Sequence, residues 1–177
     1  MSCVIIDYGS GNLHSAQKSF ERMQREVGGP PIVVSGDADV VAKADRIVLP
    51  GVGAFADCQA GLMAVDGMVE ALRERIAAGT PFMGICVGMQ LLATRGLEFG
   101  QTPGLNWIEG DVSALAPSDT SLKVPHMGWN ELRVTQPHAV FNGVEPGAHA
   151  YFVHSFHMVT RNPAHVIATV DYGQDVT

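Results

Sequence analysis

Cys86 stands between two glycines, in Gly84-Ile85-Cys86-Val87-Gly88. The stretch follows an apolar run, Pro81-Phe82-Met83, and opens onto Met89-Gln90-Leu91-Leu92-Ala93, which reads as helix. Gly-x-nucleophile-x-Gly at a strand-to-helix junction is the pattern of a nucleophile elbow. The glycines have a steric purpose there. A sharp turn brings backbones so close that a Cβ at either flank would clash. Such a turn lifts the thiol to the top of a sheet and aims backbone N–H groups and a helix N-terminus at it, which favours a thiolate. Taken alone, the five residues fit a buried structural cysteine equally well.

A nucleophile that attacks a carbonyl needs donors for the oxyanion. Pro50-Gly51-Val52-Gly53 directly follows an apolar run, Arg46-Ile47-Val48-Leu49, and its glycines let backbone N–H groups turn toward a developing negative charge. The N–H of Val87 is the second donor expected of an elbow. Without the elbow, Pro50-Gly51 would read as a plain turn. Gln90 lies one helical turn beyond Cys86 and can face the same pocket, or equally the helix surface. His126, His154 and His157 are candidate bases for the thiol, although histidines in such positions are more often structural, and the sequence does not choose among them.

The elements that must position these residues are legible from periodicity. Cys3-Val4-Ile5-Ile6 reads as a buried strand, followed by a turn, Asp7-Tyr8-Gly9-Ser10-Gly11-Asn12. A helical pattern runs from about Leu13 to Arg25 and is broken by Gly28-Gly29-Pro30-Pro31. Ile32–Val34 is a second strand, Ala38–Ala44 a short helix, and Arg46–Leu49 a third strand ended by Pro50-Gly51. Leu62, Val65, Met68, Val69, Leu72 and Ile76 recur at helical spacing, with Gly79 as C-cap. Phe82–Ile85 is the fourth strand. Apolar strands alternating with helices predict a parallel sheet covered on both faces. In such sheets active residues collect beyond the carboxyl ends of the strands, where the loops Asp7–Leu13 and Pro50–Phe55 and the residue Cys86 would meet. After about Gly104, short alternating runs (Trp107-Ile108, Glu131–Val134, Val166–Val170) suggest added antiparallel strands. No linker divides the 177 residues, so a single domain is expected.

Composition narrows the function classes. Hydrophobic residues make up 46% and charged residues 16%, an ordinary globular balance. The net charge of −7, with no basic block, argues against nucleic acid as a partner. Three scattered cysteines, Cys3, Cys58 and Cys86, do not make a disulfide framework, and a reducing cytosol fits best. The seven histidines show no metal-ligand spacing, and neither a metal nor a cofactor is expected. The N-terminal apolar run is cut at Asp7, so neither a signal peptide nor a membrane span is read there.

Five blocks in order carry a resemblance: Asp7–Leu13, Leu49–Phe55, Gly84–Leu92, Val124–Asn130 and Tyr151–Phe156. The chain resembles the glutaminase subunits of imidazole glycerol phosphate synthase, triad-type (class I) glutamine amidotransferases of histidine biosynthesis. Pro125-His126-Met127-Gly128-Trp129-Asn130 is the most specific of its matches. The resemblance implies an α/β fold of flavodoxin-like, doubly wound, mostly parallel type, with antiparallel strands added in the C-terminal half. It implies that Cys86 attacks the side-chain amide of L-glutamine, releasing ammonia and leaving a γ-glutamyl thioester. Val52, Gly53 and Val87 would form or border the oxyanion hole. Pro50, Gly51, Gln90, Glu98, Ser155 and Phe156 would hold glutamine. Asn12, Met127, Trp129, Asn130 and Tyr151 would meet a (β/α)₈ synthase subunit in a heterodimer, which receives the ammonia and makes imidazole glycerol phosphate and AICAR.

The chain departs from the family in one respect. The family completes its triad with a His-Pro-Glu segment near the C-terminus, and this sequence has no His-x-Glu. A missing C-terminal part, an exposed sheet edge and negligible glutaminase activity are the corresponding expectations. Two other functions compete: a silent partner-binding module, and a glutaminase of another pathway such as pyridoxal phosphate synthesis. The Pro125–Asn130 hexapeptide weighs against the latter. A DJ-1-like cysteine hydrolase would fit the elbow but leaves Gln90 and the Tyr151–Phe156 block unexplained.

Overall fold

The computed structural model describes residues 1–177, which form two compact units, Met1–Leu92 and Ala93–Thr177. The one domain read from the sequence spans both. No helix is long and apolar enough to cross a membrane.

The first unit runs β1 (Cys3–Ile6), α1 (Leu13–Val27), β2 (Ile32–Ser35), α2 (Ala38–Val41), β3 (Arg46–Gly51), α3 (Phe55–Met63), α4 (Met68–Ala77), β4 (Phe82–Cys86) and α5 (Val87–Gln90). The four strands are parallel, in the order β2-β1-β3-β4. That is the doubly wound, flavodoxin-like order, and its direction reverses between β1 and β3. The loops leaving those two strands therefore flank the switch point, where open sheets of this kind place their ligands. Val4, Ile5, Ile6, Ile47, Val48 and Leu49 are all buried, as near-continuous apolar runs must be in a sheet with both faces covered. Along α1, Leu13, Ala16 and Phe20 share one face and pack on Cys3, Ile5 and Val48. The Asn12 side chain caps that helix by accepting from the Ser15 N–H at 3.1 Å.

Four local readings change. Pro50 and Gly51 do not end β3 but belong to it, pairing with Ile85 and Cys86. Pairing with β1 stops at Val48, so the missing proline N–H leaves no bond unmade on that side. The periodic run from Leu62 to Ile76 is two helices, broken at Gly67, whose φ of +70° no helix interior accepts. α2 stops at Val41, short of Ala44. The helix read over Met89–Ala93 is the single turn α5, and Ala93 already belongs to the next strand, where inter-strand pairing overrides local propensity. The C-cap reading at Gly79 holds. The Gly79 N–H donates to Ile76 O and the Thr80 N–H to Arg75 O, the two bonds of a Schellman motif.

The second unit is built from strands: β5 (Ala93–Gly96), β6 (Thr102–Pro103), β7 (Ile108–Ala114), β8 (His126–Glu131), β9 (Arg133–Val134), β10 (His149–His154), β11 (Phe156–Thr160), β12 (Ala168–Asp171) and β13 (Asp175–Val176). They form three sheets, ordered β11-β7-β5-β6, β10-β8 and β13-β12-β9. All pairs are antiparallel except β5 with β7. Across that parallel pair, Arg95 donates Nε and Nη2 to the two carboxylate oxygens of Asp111, at 2.8 and 3.1 Å. Leu115, Val170 and Val176 form a small core, with Phe152 and Tyr172 packed against it.

Candidate active site

β4 ends at Cys86 and α5 begins at Val87, so the cysteine occupies the strand-to-helix junction. Its backbone sits at φ 55°, ψ −121°, in the half of conformational space that L-residues rarely enter. Strain at a non-glycine residue persists only where its surroundings impose it. Here they do. A Cβ on Gly88 would lie 1.9 Å from Leu49 O of β3, and one on Gly84 would lie 2.4 Å from Met89 Cα. A Cβ on Gly51 would lie 2.6 Å from Gly88 N. Three glycines thus let the end of β3, the end of β4 and the first turn of α5 interlock, with Cys86 beside Gly51 in the sheet register. The outcome is an exposed thiol on a buried scaffold. Cys86 is exposed, whereas Cys3 and Cys58 are buried. Val87 is the first residue of α5, where N–H groups have no partner within the helix, and Gln90 lies buried at the end of the same turn.

The loop after β3 is held from below by the loop after β1. The Tyr8 hydroxyl is buried and donates to Pro50 O at 2.7 Å. Burial, with Cys58 close by, pushes the Tyr8 pKa well above its ordinary value, so the phenol stays a donor. Ser10 Oγ donates to Val52 O at 2.9 Å and accepts from the Val52 N–H at 3.1 Å. Cys58 Sγ donates to Val52 O at 3.3 Å and lies 3.2 Å from Ser10 Oγ. The Val52 N–H expected at the oxyanion is therefore engaged by Ser10. Gly53 follows at φ +101°.

In the second unit, β8 and β10 pair Met127 with Val153 and Trp129 with Tyr151. These four side chains are exposed, Trp129 by 71%, and the Trp129 and Tyr151 rings meet edge to face at 5.6 Å. Trp129 is thus no core residue. Asn130 falls on the opposite face with His126. It donates to Asp171 O at 2.8 Å and accepts from the Glu131 N–H at 2.8 Å. Glu98 is half-buried between β5 and β6, and Ser155 and Phe156 are half-buried where β10 gives way to β11.

Two of the candidate bases are bonded to each other. His126 Nδ1 lies 3.0 Å from His154 Nε2, and His154 Nδ1 lies 3.0 Å from Phe156 O. A carbonyl only accepts, so neutral His154 carries its proton on Nδ1 and accepts at Nε2 from His126 Nδ1–H. His126 Nε2 is then the acceptor that faces Asn130 Nδ2, 3.4 Å away. His126 is buried between Tyr172 and Phe152, with ring centroids at 3.9 and 4.8 Å. Burial, and secondly His154, hold its pKa below the usual imidazole value. The same two causes lower that of His157, whose buried Nδ1 has no hydrogen-bond partner.

Residues 4–176 match the family profile described as "Glutamine amidotransferase class-I". The chain belongs to the class-I glutamine amidotransferase family. It is 54% identical over 178 residues to "Imidazole glycerol phosphate synthase subunit HisH" of Ruegeria pomeroyi, covering 100% of this chain and 84% of that one. A protein of the same name from Bradyrhizobium diazoefficiens is 57% identical over 182 residues, with the same two coverages. The match runs through the whole of this chain and spans 84% of each of these two relatives. Among solved structures, one described as a glutamine amidotransferase superposes with a TM-score of 0.65 at 16% identity, covering 94% of this chain and 79% of its own. A glutamine amidotransferase from Thermotoga maritima gives 0.61 at 13% identity, covering 90% and 62%. At such identities these two speak for the fold.

In this amidotransferase the elbow cysteine and the loop after β3 come together as the sequence leads one to expect. The Asp7–Leu13 loop is expected there, but the individual roles of Tyr8, Ser10 and Cys58 in setting the loop after β3 are not legible in the sequence. For Tyr8 and Ser10 the sequence signal is the turn-rich composition of Asp7–Asn12; for Cys58, on α3, there is none.

Proposed function

We propose that this chain is the glutaminase subunit of an imidazole glycerol phosphate synthase and acts in histidine biosynthesis. The observation that carries the reading is Cys86, an exposed thiol at a left-handed strand-to-helix junction flanked by glycines that close backbone approach requires. The thiol attacks the side-chain carbonyl carbon of L-glutamine. The C–N bond breaks, ammonia leaves, and a γ-glutamyl thioester remains. Water then cleaves the thioester to glutamate and restores the thiol. The N–H groups of Val87 and Gly53 stabilise the oxyanion, with Val52 bordering the hole while its N–H is bonded to Ser10 Oγ; such stabilisation is usually the largest electrostatic contribution to acyl transfer. Pro50, Gly51, Gln90, Glu98, Ser155 and Phe156 are assigned to glutamine binding. Both compact units contribute to one amidotransferase domain in the cytoplasm.

Relatives that are named as subunits support a partner. The partner proposed here is the (β/α)₈ synthase subunit, joined as a heterodimer that passes ammonia on to the formation of imidazole glycerol phosphate and AICAR. The exposed Met127, Trp129 and Tyr151 side chains are the surface proposed for it, with the exposed Asn12 as a further proposed contact; Asn130 faces away from them and is bonded to Asp171 O. An exposed patch of this kind is a common mark of a partner site. The test is glutamate release from glutamine by the purified chain mixed with its synthase subunit, alongside Cys86→Ala. Glutamine-dependent synthesis that vanishes in the variant, while synthesis from added ammonia persists, supports the reading. Equal glutamine use by both proteins refutes it.

A further inference from the structure

A row of polar groups crosses the second unit from β10 to β12, on the face of the β8–β10 pair turned away from Met127, Trp129 and Tyr151. It runs Phe156 O, His154, His126, Asn130, Asp171 O, with contacts of 3.0, 3.0, 3.4 and 2.8 Å. We propose that this row is an acid-sensitive lock: it ties the β8–β10 pair to β12 while both imidazoles are neutral, and a proton entering the pair breaks it at Asn130. The consequence for partner docking on the opposite face rests on the proposed function; the lock itself does not.

Backbone groups fix both ends of the row. Phe156 O only accepts, so His154 donates from Nδ1 and accepts at Nε2. Asn130 Oδ1 receives the Glu131 N–H at 2.8 Å, so Nδ2 is the atom that donates, to Asp171 O and toward His126 Nε2. One assignment satisfies the whole row, with a single proton on Nδ1 of each ring. A further proton on His154 occupies Nε2 and donates to His126 Nδ1. The proton of His126 must then move to Nε2 and meet the Asn130 amide, donor against donor. A further proton on His126 produces the same clash directly. Turning the Asn130 amide over gives no relief, because Oδ1 would then face Asp171 O. Buried between the Tyr172 and Phe152 rings, His126 has no room to turn away. Burial, and secondly His154, hold its pKa below the usual imidazole value, as expected of a ring whose charged form has no bonding pattern of its own. Charged and titratable groups on the neighbouring elements are engaged elsewhere or carry the wrong sign. The Asp171 carboxylate is bonded to Arg133 at 3.0 Å and to the Gly173 N–H at 3.1 Å, and Arg133 also lies 3.8 Å from Asp175. The Tyr172 hydroxyl donates to Lys123 O. His157 on β11, lowered by burial and then by His154, would add like charge. Glu131 points to the opposite face of β8, and His149 Nδ1 lies 2.8 Å from Gly147 O. The lock is therefore whole above about pH 6.5 and weakens as the pH falls below it.

Long-range proton–nitrogen NMR spectra of the unaltered chain, labelled with nitrogen-15 histidine, read the lock directly. At neutral pH both His126 and His154 should carry their proton on Nδ1. On acidification His126 should titrate below the usual imidazole value, with the Asn130 side-chain amide signals moving in step. An Nε2–H tautomer on either ring at neutral pH, or His126 titrating at or above the usual value, overturns the lock. Asn130→Ala removes the opposing donor and should raise the midpoint of His126 by about half to one pH unit, the equivalent of one hydrogen bond. A loss of stability in that variant with the midpoint unmoved assigns Asn130 a structural role alone and also overturns the lock. Calorimetric titration with the synthase subunit reads the consequence. Affinity should be about tenfold weaker at pH 5.5 than at pH 7.5, the factor for one proton excluded from the docked state over the pH unit below 6.5. Asn130→Ala should lose most of that dependence, and an equal dependence in both proteins overturns the link from the lock to docking. No binding by the unaltered chain at either pH removes the partner reading instead, while the tautomers and the His126 midpoint still decide the lock.

Discussion

Three cysteines in one chain provide an internal control for what an elbow does to a thiol. Cys86 is exposed, Cys3 is buried in β1 with its pKa raised by that burial, and Cys58 is buried on α3 with its thiol committed to Val52 O. Alkylation should therefore fall on Cys86, with Cys3 and Cys58 labelled only after unfolding. Peptide mapping that finds equal labelling in the folded chain would contradict this. The flanking glycine tests the scaffold rather than the chemistry. Gly88→Ala puts a Cβ 1.9 Å from Leu49 O, a backbone atom of a central strand that has nowhere to retreat. The cost should sit at the upper end of the about 1–3 kcal/mol typical of overpacking, read as a lower urea midpoint with an unchanged slope. The sequence showed Cys86 and its glycines because the constraint is local, within five residues. It did not show the Ser10–Val52 bond, which joins residues 42 apart through a hydroxyl that any turn could carry.

At the scale of elements, the four parallel strands were legible because each is a short apolar run bounded by Gly, Pro or Asp. The break at Gly67 and the brevity of α5 were not. Hydrophobic spacing continues across the first, and the second is decided by pairing of Ala93 with Ile108. The β8–β10 pair shows what alternation encodes. His126, Gly128 and Asn130 face one way, while Met127, Trp129 and Glu131 face the other, as period-two geometry demands. An aromatic pair left in solvent gains little for its own unit, and Trp is enriched among interface hot spots. Trp129→Ala should thus weaken binding to the synthase subunit by at least about 2 kcal/mol, the range of a hot-spot residue. Its thermal midpoint should stay near that of the unaltered protein. Unchanged affinity with a large loss of stability would remove Trp129 from the interface. In the parallel sheet of the first unit, β4 pairs only with β3 and so is an edge strand.

For the whole molecule, stability against pH sums over every group whose pKa differs between folded and unfolded chain. Two sets act in separate windows. Asp111, held low by the Arg95 guanidinium, and Asp119 and Glu21, held low chiefly by hydrogen bonds from Ser121 and Lys18, lose their contribution only as carboxylates protonate. His126 and His157 act earlier. Their folded pKa values lie below the unfolded 6.5, so the unfolded chain takes up protons first as the pH falls. Their contribution is complete above about pH 6.5 and shrinks as the pH drops through that value toward the lowered ones. His157 is the cleaner probe, because its buried Nδ1 has no partner to lose. His126, by contrast, is bonded to His154 and faces Asn130. We expect the thermal midpoint to be flat between about pH 7 and 8 and to fall between about 6.5 and 5, ahead of any carboxylate step. His157→Leu removes one titrating group and should shallow that fall, while leaving the midpoint at neutral pH close to its original value. The net charge of −7 at pH 7 shrinks toward the isoelectric point near 5.4 over the same interval, so the scans belong at low protein concentration. Equal slopes in the two proteins would show that the acid sensitivity resides elsewhere than in His157.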